Sequence, residues 1–452
     1  MLSDKAIRYL QLERLGQRTY HKWQYETRSN ASRTWQEKGD GLIRQVAKAN
    51  AILLVQYAVG SLVPLLLVPH IVSVIGLAEY GHLAVLMAWG GYGAVIVQYA
   101  FQMTGPKRVM HLAAGDSAAS VFVDIAFAKF LLLFIVISVM AVFALVSVPL
   151  ESTSSFAWIL LFAMPIAAGL NSVWFLQSQD QFFSVCMLAI SGSLLTLFIG
   201  FSFVNSSNHR SVDFAVVVSV LGAILIGIGT LVLSISSIKG MKYEWSMTRA
   251  ISTLKEGWHL FISQFVSMLY SASGPIVINY LIDAKAAGAY SVTERVINAL
   301  MAAALLTHTA AYPRLAFAYI NNRDGYWRLL KLILTGYLSV TLIISVMAWS
   351  LREPVVMFLY GEISGNHDGL LFFGLAWLVL GIFGTAFTGY LTVSGRSSAV
   401  WPLTLKILVL SVAVGVPSVF IFGGVGWLAA LVLSQFLVLH TGFKHWRREY
   451  GK

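Results

Sequence analysis

Twelve apolar stretches, each about as long as a membrane-crossing helix, recur along this chain. A helix needs about 20 mostly apolar residues to cross the hydrocarbon of a bilayer. Only 11% of the residues are charged and 58% are hydrophobic, which excludes an ordinary soluble domain. The pattern predicts spans over residues 51–74, 82–102, 120–147, 156–177, 183–204, 213–236, 259–281, 287–311, 328–350, 369–391, 399–420 and 424–443.

The basic residues divide unevenly between the two sides of such a bundle. With the N-terminus inside, the inner segments carry 25 Lys and Arg residues and the outer loops carry 3. Membrane proteins concentrate these residues in their cytoplasmic loops. We therefore expect cytoplasmic N- and C-termini, and we attribute most of the net charge of +11 to topology and anionic lipids rather than to nucleic acid.

An internal repeat relates the two halves of the chain. A shift of 207 residues places Gly81 on Gly288 and Pro106-Lys107 on Pro313-Arg314. Six spans in each half, both starting inside, predict parallel repeats with a site between them, as in transporters. The predicted organisation is a basic cytoplasmic extension at 1–48, an N-lobe at 49–236, a cytoplasmic inter-lobe loop at 237–258, a C-lobe at 259–443 and a cytoplasmic tail at 444–452.

Five short motifs lie in order along the spans. They are the run from Val68 to Gly81 with Glu79-Tyr80-Gly81, Tyr99-Ala100-Phe101 before Thr104-Gly105, Trp174-Phe175-Leu176-Gln177, Gly288-Ala289-Tyr290 before Glu294-Arg295-Val296, and Leu359-Tyr360-Gly361. This set resembles the polysaccharide-type flippases, the O-antigen and exopolysaccharide exporters of the MOP superfamily. Ala100 and Ser178 depart from it, because glycine is common at both places.

The resemblance implies an all-α polytopic membrane protein of about twelve transmembrane helices, whose two six-helix lobes alternate between V-shaped states. It implies a flippase for undecaprenyl-diphosphate-linked oligosaccharides in a bacterial inner membrane. We expect coupling to H⁺ or Na⁺ and no bound cofactor. Polysaccharide polymerase or assembly proteins are candidate partners of the basic extension, with anionic lipid as the alternative.

Several cations are candidates for binding the diphosphate of such a substrate. Arg295 lies about 12 Å into the eighth span at 1.5 Å per residue, a depth at which a charge is costly and is usually functional. Its planar donor fork suits phosphate, although a structural ion pair is the alternative. Lys129 and Lys406 face a cavity or extend to the interface. Arg108 and Arg314 lie at the cytoplasmic ends of their helices. They either bind an arriving lipid headgroup or only orient the protein in the membrane, as positive charges in cytoplasmic loops do.

Polar residues inside the spans complete the predicted site. Cavity-lining candidates are Gln56, Tyr57, Gln264 and Tyr270, with ordinary interhelical hydrogen bonding as the alternative, and Trp174 is a candidate for stacking on a sugar. Candidate coupling carboxylates are Glu294 and Asp124. Helix-breaking residues predict hinges at Pro64, Pro69, Gly274 and Pro275.

Two other functions compete with the flippase interpretation. A multidrug exporter of the same superfamily would bind organic cations and would use an intramembrane carboxylate on the first or seventh span, and neither predicted span has one. A membrane-embedded glycosyltransferase or polymerase would need a large outer loop with paired carboxylates, and the longest outer loop, 351–368, is short. Within the spans, Lys129, Arg295 and Lys406 outnumber Asp124 and Glu294, which favours an anionic cargo. The lipid-linked form of that cargo is what the resemblance implies, and a non-enzymatic function is favoured.

Overall fold

The computed structural model describes residues 32–110, 112, 117–146, 155–205, 210–241, 243, 245–363, 365–394 and 400–450. The chain divides into two units, Met1–Ala51 and Ile52–Lys452. Most of the predicted extension 1–48 lies outside the described residues. In the second unit, every regular element of the described residues is helical.

The helices of the first half are α1 (Ser32–Gln98), α2 (Phe101–Met110), α3 (Ala118–Val146), α4 (Ile159–Leu170), α5 (Val173–Ser178), α6 (Phe182–Phe203) and α7 (Ser211–Ile238). Those of the second half are α8 (Met247–Ser271), α9 (Gly274–Leu281), α10 (Ala284–Asn321), α11 (Arg323–Ser350), α12 (Arg352–Tyr360), α13 (Gly365–Val393), α14 (Val400–Phe422) and α15 (Gly424–Tyr450).

The helix α1 contains two of the predicted spans, which are separated at Gly76. Gly76 has φ 82° and ψ 163°, a backbone conformation that ends one helix and that glycine adopts without strain. Ile52 and His70 contact Cys186 and Val204, near the two ends of α6, so this part of α1 runs parallel to α6. The next part runs parallel to α4, because Gly90 approaches Leu160 and Gly105 of α2 approaches Trp174. Helix α4 is antiparallel to α6, because α7 runs parallel to α4 and antiparallel to α6. The chain therefore reverses at Gly76.

The prediction of about twelve membrane-spanning helices is confirmed. Ten helical stretches of the described residues are long and apolar enough to cross a membrane, and one of them, Val55–Met110, is the reversed pair of 56 residues. The helix α10, with 38 residues, covers the remaining predicted span. The protein is a multi-pass membrane protein.

The helices form two lobes. Helices α2 to α7 pack on one another, and the part of α1 after Ala51 packs on α4 and α6. Helices α9 to α15 also pack on one another. Helix α8 contacts both sets, α2 and α3 on one side and α14 on the other. We call the two ends of the bundle the Gly81 end, where Gly76, Val204 and Ala284 lie, and the Arg108 end, where Trp174 and the start of α8 lie.

Three predicted boundaries differ from the structure. Helix α8 begins at Met247, inside the predicted loop 237–258, because its first turns are amphipathic and too polar to resemble a span. The chain is not helical at Asn171 and Ser172, inside the predicted fourth span. Helix α15 extends to Tyr450, through most of the predicted tail.

The predicted hinges fall into two groups. Helix α8 ends at Ser271 and α9 begins at Gly274, with Pro275 in its first turn, so the helix is interrupted where the sequence predicts a hinge. Pro64 and Pro69 lie inside α1 without a break in the helix. Membrane helices tolerate such prolines, because neighbouring groups satisfy the freed carbonyls.

The lobes meet backbone to backbone at the Gly81 end. A Cβ atom added to Gly81 would lie 1.8 Å from the carbonyl oxygen of Ala284, and one added to Gly288 would lie 1.9 Å from that of Leu77. These two glycines are the pair that the 207-residue repeat superimposes. Neither position can accept a side chain while the lobes touch here, so we name this contact the glycine seam.

A methyl group at the glycine seam is expected to separate the lobes. Gly81→Ala and Gly288→Ala should each destabilise the protein by about 1–3 kcal/mol, the usual cost of overpacking. The measurement is the thermal unfolding midpoint of the detergent-purified protein. Gly60→Ala is the matched control, because nothing lies within 4 Å of the added Cβ atom, and it should leave the midpoint unchanged or raise it. Equal midpoints for all three variants would contradict the close approach.

Candidate functional site

Arg295 lies on α10 and reaches across the lobe boundary to α1. Its Nη2 atom is 2.9 Å from the sulfur of Met87, and its guanidinium carbon is 5.8 Å from the centre of the Tyr80 ring. Both contacts are weak for a cation, since a thioether is a poor acceptor and a cation–π contact contributes little. Arg295, the residue predicted to bind the diphosphate, therefore lies at the boundary between the lobes, near the glycine seam.

Arg295 makes no direct ion pair among the described residues, although the carboxylate of Glu294 lies near it. No carboxylate of the described residues lies within 4 Å of its guanidinium group. The neighbouring Tyr80 hydroxyl is buried without a hydrogen-bond partner among the described residues. Glu294 acts on Arg295 through space and makes no ion pair with it, so the guanidinium donors lack a charged hydrogen-bond partner, and the orphaned hydroxyl beside them adds to the cost. An anion bound here would reduce both costs.

Glu294 precedes Arg295 and lies near Tyr80, Tyr92 and Tyr290. Its side chain is only partly accessible. The structure thus places the predicted coupling carboxylate beside the predicted substrate cation, on the same helix and at the same lobe boundary. Its coupling role stays a prediction.

The predicted cavity-lining residues are distributed along the helices that border the two lobes. Gln264 Nε2 lies 3.8 Å from the sulfur of Met103, which joins α8 to α2. The Tyr270 hydroxyl is 3.4 Å from Ser267 on the same helix. Gln56 is partly buried, with an unpartnered Oε1 atom, and Tyr57 is exposed. None of these contacts involves Arg295, and the cavity role of the four residues stays a prediction.

A separate cavity of about 580 Å³ opens at the Arg108 end between α2, α3 and α8. Its charged lining residues are Lys107, Arg108, Asp124, Arg249 and Glu256, and its other lining residues are Met103, Thr104, Leu112, Ser120, Val121 and Leu260. We call it the Arg108 cavity. Its size is that of an ordinary ligand site.

Two ion pairs cross the Arg108 cavity and connect α8 to the first lobe. Arg108 Nη2 is 2.9 Å from Glu256 Oε1, and its Nε is 3.0 Å from Oε2, so the pair is bidentate. Arg249 Nε is 2.8 Å from Asp124 Oδ2. The predicted coupling residue Asp124 is therefore engaged in an ion pair, in which its own carboxylate is buried and Arg249 is partly exposed. Glu256 also places a carboxylate on the seventh membrane helix, just outside the predicted span 259–281.

Lys129 is buried inside the first lobe, away from the Arg108 cavity. Its ammonium group donates to the carbonyl oxygens of Ala168, at 3.0 Å, and of Asn171. These carbonyls belong to the end of α4, where the chain leaves the helix before α5, and Thr230 accepts a hydrogen bond from Ser172 N at the same break. A cation at a helix C-terminus satisfies unpaired carbonyls and the helix dipole. The geometry favours a structural role over substrate binding.

The remaining candidates lie apart from both sites. Trp174 is 1% exposed and packs on Gly105 and Phe122, so no sugar can reach its ring in this conformation. Lys406 is exposed on α14, on the face that also exposes Val409 and Leu405, as an interfacial lysine would be. The side chain of Arg314 lies outside the described residues.

Sequence reasoning misses the residues of α8 that face Arg108. Arg249, Ser252, Thr253 and Glu256 recur at intervals of three and four residues, so they share one face of a helix. That spacing is a usable signal. It is hidden because the hydropathy of the segment predicts a loop.

Solved structures share the fold of this protein. An outward-facing multidrug resistance MATE family transporter of the MOP superfamily matches with a TM-score of 0.59, 15% identity, and coverage of 90% of this chain and 95% of that one. A MOP superfamily transporter from Pyrococcus furiosus matches with a TM-score of 0.58, 15% identity and the same coverage. The fold is that of the MOP superfamily transporters.

The family follows from the sequence match. Residues 46–318 match the model described as "Polysaccharide biosynthesis protein", and the chain belongs to this family. The Escherichia coli (strain K12) protein named "Putative O-antigen transporter" is 24% identical over 277 residues, which are 61% of this chain and 66% of that protein. The aligned part thus spans slightly less than two thirds of that relative. The resemblance identified in the sequence is confirmed at the level of this family, and the chain has the fold of the MOP superfamily transporters.

Removing the ammonium group of Lys129 is expected to destabilise the break between α4 and α5. Lys129→Met would leave buried carbonyls without a donor, which costs about 1–3 kcal/mol. Lys406→Met is the matched control, because the exposed lysine should change stability by less than about 0.5 kcal/mol. Thermal unfolding of both purified variants gives the comparison. A stable Lys129→Met protein that had lost transport would instead indicate a substrate contact.

Proposed function

We propose that this protein is a flippase for an undecaprenyl-diphosphate-linked oligosaccharide. It acts in a bacterial inner membrane, with both termini cytoplasmic, and supplies a surface polysaccharide such as O-antigen or exopolysaccharide. Its lobes alternate between two states in a cycle coupled to H⁺ or Na⁺. The observation that carries the proposal is the arginine at the lobe boundary, Arg295, which has no carboxylate of the described residues within 4 Å.

The chemistry of the substrate agrees with this arrangement. A diphosphate offers oxygens in the geometry that a guanidinium group binds through two parallel hydrogen bonds. An organic cation, the cargo of a multidrug exporter, would be repelled by Arg295. The carboxylate of the seventh helix, Glu256, is already paired with Arg108. Anionic cargo therefore fits this boundary better than cationic cargo.

Family membership supports the class of cargo. The matched family is named for polysaccharide biosynthesis, and the E. coli relative is named for O-antigen transport. A lipid-linked glycan is the form in which such a saccharide can cross a bilayer without losing its membrane anchor. Polysaccharide polymerase and assembly proteins are the partners that would consume the translocated product.

Loss of Arg295 is expected to abolish most of the transport. Arg295→Ala should lower the initial rate of flipping by roughly 10- to 100-fold, because a charge-assisted hydrogen bond contributes about 1.5–3 kcal/mol. Arg295→Lys, which keeps the charge but loses the donor fork, should lie between wild type and Arg295→Ala. The measurement is translocation of a fluorescent undecaprenyl-diphosphate glycan in proteoliposomes.

Two further arms make this experiment decisive. Lys406→Ala is the matched control, since it removes an exposed membrane cation and should retain the wild-type rate. Ethidium replaces the glycolipid in a parallel set of proteoliposomes. Ethidium transport without glycolipid flipping by the wild-type protein would overturn the proposal in favour of drug export.

A further inference from the structure

The two ion pairs of the Arg108 cavity differ in how easily they open. Asp124 is 3% exposed and also accepts a hydrogen bond from the backbone of Ser246, so its pair with Arg249 is fixed. The side chain of Glu256 is 59% exposed and that of Arg108 is 21% exposed. An exposed carboxylate is readily hydrated, so Glu256 leaves Arg108 at little cost.

Arg108 keeps its position without Glu256. Its guanidinium group also donates to the hydroxyl of Ser252, at 3.1 Å, and to that of Thr253, which is fully buried. These hydroxyls hold the planar group against α8 when the carboxylate turns away. The Nε and Nη2 donors that Glu256 occupies would then face the cavity as a pair.

The rest of the lining defines what could replace Glu256. Lys107 on α2 and Arg249 on α8 also line the cavity, so the charged lining carries three cations and two carboxylates. Two side chains, Met103 and Leu260, add exposed apolar surface at 57% and 40%. A tetrahedral anion attached to an apolar chain matches both features.

We propose that the Arg108 cavity binds the phosphate of a lipid headgroup, and that Glu256 is a built-in competitor which the headgroup displaces from Arg108. The identity of the lipid as undecaprenyl diphosphate rests on the proposed function. This site is separate from Arg295, because the cavity lies at the Arg108 end and Arg295 lies near the glycine seam. It therefore serves loading or release of the lipid rather than its passage between the lobes.

The displacement also acts on the connection between the lobes. Arg108 belongs to α2 in the first lobe, whereas Glu256 belongs to α8, which also packs on α14 in the second. Exchange of Glu256 for phosphate opens one of the two ion pairs that connect α8 to the first lobe. Arrival of the headgroup thus loosens this connection, while Arg249 and Asp124 keep it from separating.

Two substitutions that should change the Kd in opposite directions test the competition between Glu256 and the phosphate. Farnesyl diphosphate serves as a short lipid diphosphate, and isothermal titration calorimetry measures its Kd for the protein in nanodiscs of neutral lipid. Glu256→Gln should bind about three- to tenfold more tightly than wild type, because the competing charge is lost while the residue keeps its shape. Arg108→Gln should bind at least about tenfold more weakly, and Arg108→Lys should lie between wild type and Arg108→Gln.

The matched control is the ion pair at the opposite end of the bundle. Lys285 Nζ lies 3.0 Å from Glu362 Oε1, and both side chains are well exposed. Glu362→Gln should leave the Kd unchanged. If the Arg108–Glu256 pair were only structural, Glu256→Gln and Arg108→Gln would change the Kd in the same direction or not at all, and the proposal would be wrong.

Two reference compounds identify the ligand class. Inorganic pyrophosphate should bind at least about tenfold more weakly than farnesyl diphosphate, because it lacks the chain that covers the apolar lining. Equal affinities would overturn the assignment to a lipid. Farnesol, which has the chain without the phosphates, should not respond to either substitution.

The outcome is separable from that of the proposed function, because binding is measured without transport. A protein with the expected order of Kd values that does not flip a lipid-linked glycan would contradict the proposed function alone. A protein that flips the glycan, but whose Kd is insensitive to Glu256→Gln and Arg108→Gln, would contradict the Arg108 cavity alone.

Discussion

The glycine seam is the contact on which the arrangement of the two lobes depends. Gly81 and Gly288 let two backbones approach until the position of a Cβ atom is occupied by a carbonyl oxygen of the other helix. Close approach through small residues is a common way for helices to associate where the solvent is lipid and the hydrophobic effect cannot drive them together. The same approach brings Arg295 within reach of Met87 and Tyr80 across the boundary.

Four arrangements of charged groups among the described residues bear on the candidate sites. Lys129 completes the end of a helix, and Arg249 with Asp124 joins two helices in an ion pair whose carboxylate is buried. The pair of Arg108 and Glu256 is similar in chemistry but exposed, which makes it exchangeable. Arg295 has no carboxylate among the described residues within 4 Å. Only the last two arrangements have donor capacity that an incoming anion could use, and they lie at different levels of the bundle.

Much of the fold could be predicted from the sequence, because long apolar runs have few alternatives in a membrane protein. The repeat superimposed Gly81 on Gly288, but it did not predict that these two equivalent positions touch. The sequence did not predict the positions of the polar and charged side chains. Hydropathy does not reveal which way a lone Lys129 points inside an apolar helix. It also hid the first turns of α8, whose charged face is typical of a loop.

The residues of the candidate sites also differ in how well the sequence predicts them. Arg295 was identifiable because a charge deep in a span is rare and costly. The partner of Arg108 was not, because Glu256 is 148 residues away in sequence and only the packing of α8 on α2 brings the two together. The stacking role assigned to Trp174 rested on residue type alone, and its burial depends on the closeness of Gly105, which no local pattern predicts.

Helix α8 has a mechanical consequence for transport. Its first turns are held by the first lobe and its later turns pack on α14 of the second, while the chain is interrupted between Ser271 and Gly274. A helix that is fixed at its start and interrupted near its end can rotate about the interruption. Movement of one lobe relative to the other would rotate α8, and the change in backbone angles would occur at the interruption beside Pro275. The contacts of α8 with α2 and α3 would then limit how far α8 can rotate.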